Sequence, residues 1–376
     1  MSNGNVDDIP VARPDLCGNE EKYVVDALRS SWISSTGPYV ADFEKNFATL
    51  CGSRAVISVC NGTVALHLAL LTLDVRPGDE VIVPSLTYVA TANAVRYVGG
   101  IPVFVDVDPE TWCLDPQKVE AAISSKTKGI IAVHLYGHPA DMDELNHIAA
   151  VNGLWVVEDA AEAPLATYKG RPTGSLATIG TFSFYGNKIF TSGEGGAISL
   201  NDPNLELRAR TLRGQGMDPK RRYFFPVVGY NFRLTNIACA ILCAQLERRD
   251  TIVRKRQDLY SLYRRLLQRV PGIGFQPVAP WAIISPWLFC ITVDSKQYGR
   301  SRDELMHILA EARIETRPFF IPLHQLPPYR DLAKGRSDSL ALSDQLSKSG
   351  MNLPTYTEMT SAQVERVAET IAKSAR

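Results

Sequence analysis

The sequence predicts an α/β protein with a mostly parallel central sheet covered by helices, followed by a smaller C-terminal α/β domain. Two patterns carry that prediction. Apolar runs of strand length alternate with amphipathic stretches of helix length through the first two thirds of the chain, the order that crossover helices between parallel strands impose. After Pro271-Gly272 the character changes, with a Pro-rich stretch over 318–328 and a last amphipathic segment after Thr360. At 376 residues, 45% hydrophobic and 21% charged, the chain is long enough for a large core and two domains.

Taken in order, residues 54–58, 80–84, 101–105, 129–135, 154–159, 180–184 and 197–200 are short runs rich in Val, Ile and Phe, and read as strands. Between them 63–73, 87–98 and 142–151 show the spacing of helices with one apolar face. Residues 236–268 read as one long helix with room for a bend, rich in Arg and free of Pro. Beyond it come a strand near 287–293, a helix near 302–312 and a closing helix after 360. This organisation predicts a large cofactor-binding domain over 1–250 and a small domain over 251–376. Internal repeats and heptads are absent from the sequence.

Forty Lys plus Arg balance forty Asp plus Glu, so no overall field favours nucleic acid or an anionic membrane. The seven cysteines are odd in number and scattered through apolar context, which fits reduced thiols and a cytoplasmic protein. Cys239 and Cys243 have helical spacing, but no second pair or nearby His completes a zinc set, so no metal is expected. Residues 1–14 are polar and acidic, without an apolar signal segment. The longest apolar stretch, 64–73, is too short to span a bilayer.

The chemistry centres on Lys188 in Ser183-Phe184-Tyr185-Gly186-Asn187-Lys188, ahead of the glycines at 193, 195 and 196. A lysine in a loop of small residues is poised for imine formation with an aldehyde, and a pyridine ring that takes up electrons needs an anion at its nitrogen. Asp159, ending the run Leu154-Trp155-Val156-Val157-Glu158-Asp159, is the candidate anion. Pyridoxal 5′-phosphate is therefore the expected cofactor. Alone, Asp159 would read as an N-cap of a following helix, and Glu162 either as its capping-box partner or as a residue facing the cofactor's phenolic oxygen. Asn61-Gly62-Thr63 opens a helix in the manner of a phosphate site, though it also reads as a plain turn and cap. Ser183 can add a hydroxyl to the same phosphate. Tyr88 is either core or a stacking ring. Nicotinamide and ATP fingerprints are absent from the sequence. His134 and His138 straddle a strand end and a turn, a poor geometry for a metal pair, and His67 reads as a core histidine. Lys220-Arg221-Arg222 is a solvated loop or a pyrophosphate clamp.

Taken together, Trp32-Ile33-Ser34-Ser35, Phe43-Glu44, Asn61-Gly62-Thr63-Val64-Ala65-Leu66, Pro84-Ser85-Leu86-Thr87-Tyr88, His134-Leu135-Tyr136-Gly137, Glu158-Asp159-Ala160-Ala161-Glu162-Ala163, Lys188, Gly229-Tyr230-Asn231-Phe232-Arg233 and Pro322-Leu323-His324 resemble the DegT/DnrJ/EryC1/StrS sugar aminotransferases. The resemblance covers nearly the whole chain. It implies the fold-type I architecture of aspartate aminotransferase. It also implies that Lys188 bonds covalently to pyridoxal 5′-phosphate, Asp159 pairs with the ring nitrogen, Glu162 faces the phenolic oxygen and Tyr88 stacks on the ring. Gly62, Thr63 and Ser183 would hold the phosphate with Asn231 of a neighbouring subunit, which makes the working unit a homodimer with a shared site. Gly186-Asn187-Lys188, Gly214-Gln215-Gly216-Met217-Asp218-Pro219 and Glu162 resemble the branch that aminates C4 of GDP-4-keto-6-deoxy-mannose with L-glutamate as donor. Arg221, Arg317 and His324 are the substrate candidates. The alternatives are amination at C3, a dTDP- or UDP-linked keto sugar, a cofactor-dependent dehydratase, in which His replaces the lysine, or a non-catalytic regulator. The chain departs from the pattern in Ala163-Pro164-Leu165-Ala166 and over 280–286.

Overall fold

Apolar runs in the first two hundred residues join one sheet in the computed structural model, which describes residues 8–333 and 339–376. Helices α1 (Glu20–Arg29) and α2 (Pro38–Cys51) lead into β1 (Ala55–Val59), α3 (Gly62–Thr72), β2 (Glu80–Pro84), α4 (Ala90–Tyr97), β3 (Ile101–Val105) and α5 (Pro116–Ala121). The alternation continues with β4 (Thr127–Val133), α6 (Met142–Val151) and β5 (Trp155–Asp159). A short pair, β6 (Thr167–Tyr168) and β7 (Arg171–Pro172), precedes the hairpin of β8 (Ile179–Ser183) and β9 (Gly196–Leu200), and α7 (Pro203–Arg213) follows. The spatial order is β1-β9-β8-β5-β4-β2-β3, with β3, β2, β4, β5 and β8 parallel and β9 antiparallel to both its neighbours.

Successive side chains on a strand point to opposite faces, and the two faces of this sheet bury separate cores. Ile82, Val103, Val105, Ile130, Ala132 and Val156 pack with α2, α6 and α8 (Asn236–Glu247) on one side. Val81, Val83, Phe104, Ile131 and Val157 pack with α3 and α4 on the other. Burial on both faces is what makes these strands read as unbroken apolar runs. It also leaves the strands' carboxyl ends as the natural place for a ligand.

The sequence predicts one helix over 236–268, and the chain instead breaks at Arg248 between α8 and α9 (Arg249–Leu267). Arg248 leaves the helical region (φ −101°, ψ 5°), and its guanidinium makes two bonds to Asp15, 2.8 and 3.1 Å. Beyond α9 lie β10 (Ile273–Phe275), β11 (Ala282–Ile283), β12 (Phe289–Val293), α10 (Ser295–Tyr298), α11 (Arg302–Glu311), β13 (Arg317–Pro318), α12 (Arg330–Ala333), α13 (Ala341–Ser349), β14 (Gly350–Leu353) and α14 (Ser361–Ser374). The antiparallel sheet β10-β12-β14-β13 and helices α9, α11 and α14 enclose a third core. Ile9 belongs to it, donating to the Arg313 carbonyl (3.0 Å) and accepting from the Glu315 N–H (2.9 Å).

The sequence also predicts a helix after Asp159, and the chain forms consecutive turns there. Pro164 lacks an N–H and disfavours helical backbone at Ala163, and Leu165 is left-handed (φ 63°). No helix among the described residues is long and apolar enough to cross a membrane. Residues 1–7 of the polar N-terminal stretch lie outside the described residues.

Candidate active site

Strand β5 delivers two carboxylates to one edge of the sheet, and the protein treats them differently. Glu158 is fully occupied, accepting from the N–H groups of Gly174 (2.7 Å), Leu176 (2.7 Å) and Ala177 (3.0 Å) and facing His134 Nε2 at 3.1 Å. The His134 Nδ1 accepts from the Ala140 N–H (3.0 Å), so the ring proton sits on Nε2 and is donated to Glu158. His138 is likewise engaged at both nitrogens, with Pro139 O (2.7 Å) and the Ala279 N–H (3.0 Å). Neither ring is free to bind a metal.

Asp159 is also buried, 5% exposed, and among the described residues accepts only from Thr91 Oγ1 (2.8 Å) and the Ala161 N–H (3.2 Å). Burial raises its pKa against those two bonds and the attraction of Lys188. Glu162, also 5% exposed, takes the Tyr136 N–H at 2.7 Å. That donor is aimed by a left-handed backbone at Tyr136 (φ 53°, ψ 29°), a conformation costly for a tyrosine and held by the packing around it. Burial pushes the Glu162 pKa up to about 7.

Lys188 sits in the loop after β8, its N–H bonded to the Tyr185 carbonyl (2.9 Å). Burial lowers its pKa, and Glu162 and Asp159 oppose the shift by attraction while Arg317 adds to it. These four charged groups thus share one neighbourhood. Yet among the described residues Lys188 closes no ion pair; its Nζ lies 3.9 Å from the centre of the Trp287 ring. The Oδ1 of Asn187 next to it is buried without a partner.

Close by, Asn61 caps α3 by accepting from the Val64 N–H (2.9 Å), which leaves the first N–H groups of the helix, those of Gly62 and Thr63, without an intrahelical partner. Ser183, the last residue of β8, is packed against this turn: a Cβ at Gly62 would lie 2.7 Å from the Ser183 Cβ. Across the hairpin, a Cβ at Gly196 would meet the Asn61 carbonyl at 2.4 Å. The glycine run therefore permits close backbone approach, and Gly193 (φ 83°) and Gly195 (φ 154°) also shape the turn.

Tyr88 is 57% exposed rather than core, its ring 5.8 Å from that of Phe320. His324 is engaged by Ser85 Oγ (2.7 Å) at Nδ1 and by Asp344 (3.2 Å) at Nε2. Arg221 lies over the Phe224 ring (4.4 Å) on an exposed loop that also carries Asn231, whose side chain makes no hydrogen bond among the described residues. His67 packs among the rings of Tyr97, Tyr230 and Phe232. Sequence reasoning missed Thr91, the backbone of Tyr136, Trp287 and Phe320. Thr91 lies three residues after, and Phe320 two residues before, motifs that drew notice, whereas nothing local marks a tryptophan that reaches Lys188 from the smaller domain.

Comparison with known proteins accords with this geometry. A GDP-perosamine synthase of Caulobacter vibrioides is 47% identical over 363 residues, 96% of each chain. One from Escherichia coli O157:H7 is 41% identical over 363 residues, covering 96% of this chain and 97% of its own. Among solved structures, DesI, determined in the presence of its TDP-sugar product, superposes with a TM-score of 0.91 at 31% identity, covering 98% of this chain and 93% of its own. The DegT/DnrJ/EryC1/StrS aminotransferase family matches residues 14–372, and the chain belongs to that family.

Proposed function

We propose that the chain uses pyridoxal 5′-phosphate to transfer the amino group of L-glutamate to C4 of GDP-4-keto-6-deoxy-mannose, giving GDP-perosamine. One observation carries this reading: a lysine amine and two buried carboxylates share a space without closing an ion pair. A buried carboxylate with only two donors and a raised pKa lacks a cation, and a protonated ring nitrogen is a cation of the right kind for Asp159. The open N–H groups of α3 beside Ser183 suit a phosphate. The residues present therefore fit the cofactor. When bound, it supplies an aldehyde for an amine and a ring that accepts the electron pair released at a neighbouring carbon.

Lys188 provides the amine that holds the cofactor. Freed from it, the same amine removes the proton from the α-carbon of glutamate and later delivers one to C4 of the sugar. Its lowered pKa leaves more of it neutral and able to accept. Asp159 keeps negative charge opposite the ring nitrogen. Glu162, near neutrality, can give or take a proton at the phenolic oxygen. Tyr88 stacks on the ring, while Gly62, Thr63 and Ser183, joined by Asn231 of a second copy, bind the phosphate. Arg221, Arg317 and His324 are assigned to the substrate. The large domain, over 1–250, carries the cofactor, and the small one, over 251–376, brings Arg317 and Trp287 to it. The reaction is placed in the cytoplasm, with a homodimer as the working unit.

The identities of 47% and 41% to enzymes named GDP-perosamine synthase support the GDP-linked 4-amino product, and the 31% to one solved with a TDP sugar makes the TDP-linked alternative weaker. Lys188 disfavours the dehydratase. Incubation with GDP-, dTDP- and UDP-linked keto sugars and glutamate, with products identified by mass and NMR, tests the reading. A GDP-linked 4-amino sugar is expected; turnover of only another nucleotide sugar overturns the substrate. Borohydride trapping and peptide mapping test the cofactor separately, with the label expected on Lys188.

A further inference from the structure

Trp287 is 4% exposed and touches the site in three ways. Its ring lies 3.9 Å from Lys188 Nζ, and its indole N–H donates to the carbonyl of Asn187 (2.8 Å), the residue before that lysine. Its ring also stacks with Tyr136 (6.3 Å between centroids, 25° between planes), whose backbone N–H holds Glu162. The backbone of Trp287 is itself braced by an unusual group. Arg256, 2% exposed and with no ion pair among the described residues, donates to the carbonyls of Trp287 (2.9 Å), Thr355 (3.2 Å) and Pro286 (3.5 Å) and to Thr357 Oγ1 (3.2 Å). Burial draws its pKa down only to about 10, so it stays a cation at neutral pH. A buried cation satisfied by uncharged oxygens, three carbonyls and one hydroxyl, is a costly way to fix a backbone, and what it fixes here is the segment that carries the indole.

An ammonium is attracted to the face of an indole, and a neutral amine much less. A carboxylate in the same place would bind the ammonium more firmly and keep the lysine protonated. A ring gives the released amine a defined position while leaving it ready to lose its proton.

We propose that Trp287 is a positioning residue for Lys188, its face cradling the amine whenever the lysine is not bonded to cofactor and its N–H pinning the adjoining backbone. The proposal rests on Lys188 as the cofactor lysine, and its test does not require turnover. In cofactor-free protein, the pH dependence of Lys188 acetylation by acetic anhydride is followed by peptide mass spectrometry. Trp287→Leu should lower the midpoint by roughly half a unit to one and a half units, because the ammonium loses the ring. Trp287→Phe keeps a face and should hold the midpoint closer to that of the native protein, yet slow the growth of the visible band on adding cofactor, because it loses the bond to Asn187. A midpoint that stays or rises in Trp287→Leu overturns the cradle.

If that variant does not fold, the native protein carries the test. With lysine labelled at 13Cε, the Lys188 methylene protons, identified by their loss in Lys188→Met, should be displaced upfield by the indole ring current. Resonance at the ordinary lysine position overturns the contact. An upfield signal in a protein that borohydride fails to label would sink the cofactor reading and leave the Trp287 contact standing; the reverse pattern sinks only the contact.

Discussion

Asp159 and Glu162 lie at the same depth and meet opposite demands. Under the proposed function Asp159 must stay ionised against burial, so Asp159→Asn, which preserves shape and the bond from Thr91, should still bind cofactor while turnover falls by about 10²-fold or more; an unchanged rate would show a carboxylate with a purely structural task. On the same reading Lys188→Ala removes both the point of attachment and the proton carrier, so the loss of activity should exceed the ~10²–10⁴-fold typical of an acid–base group, and the imine absorbance should vanish with it. Glu162 has a stability signature. Its folded pKa of about 7 lies above the ordinary glutamate value, so between about pH 4.5 and 7 the unfolded chain releases a proton that the folded chain retains. The stability of the cofactor-free protein therefore declines across that window as pH rises and levels off above it. Glu162→Gln still accepts the Tyr136 N–H and cannot ionise. It should gain on the order of 3 kcal/mol near pH 8 and nothing near pH 4, measured by denaturant unfolding. Lys188, Asp159 and Glu162 were legible because their residue types stand at strand ends and in a small-residue loop. Trp287 and Thr91 were not, since a contact closed by tertiary folding leaves no trace in local spacing.

At the scale of elements, the meeting of α3 with the β8–β9 hairpin is a tight constraint beside the proposed phosphate site. Gly62→Ala would set a methyl group 2.7 Å from the Ser183 Cβ and must push strand and helix apart. We expect the affinity for pyridoxal 5′-phosphate to fall by an amount corresponding to about 1–3 kcal/mol, while affinity for unphosphorylated pyridoxal falls less; equilibrium titration of the visible band measures both. Arg256→Ala strips the donors from buried carbonyls and should destabilise the fold by on the order of 3 kcal/mol. Strands 80–84 and 101–105 and helix 142–151 were predicted to the residue, because each is an apolar run or stripe bounded by Gly, Pro or Asp. The pairs β6, β7 and β11 escaped notice, being two residues long and defined by their partners alone. The helix expected after Asp159 failed because Pro164 outweighed the cap.

At the scale of the molecule, the loop bearing Arg221 and Asn231 exposes Tyr223, Phe225 and Val228, and α1 leads to exposed Trp32 and Ile33, more apolar surface than a lone subunit gains from. Under the shared-site reading, mixing Lys188→Ala with Asn231→Ala subunits should restore activity toward a quarter to a half of the native level, since one site in the hybrid escapes both lesions. A mixture no more active than its parents would place Asn231 within its own subunit's site. The doubly covered parallel sheet was plain from the alternation of runs. A second copy is not, because the chain that presents a surface carries no local sign of what meets it.

The strap formed by Ile9 and Val11 extends this to biosynthesis. Val11 donates to Glu315, 304 positions away, and Ile9 is sealed into the core that α14 completes. During translation the earliest of these residues must wait for the last helix to leave the ribosome before they find their partners, so the smaller domain closes as a late, slow step, after the parallel sheet has had time to settle.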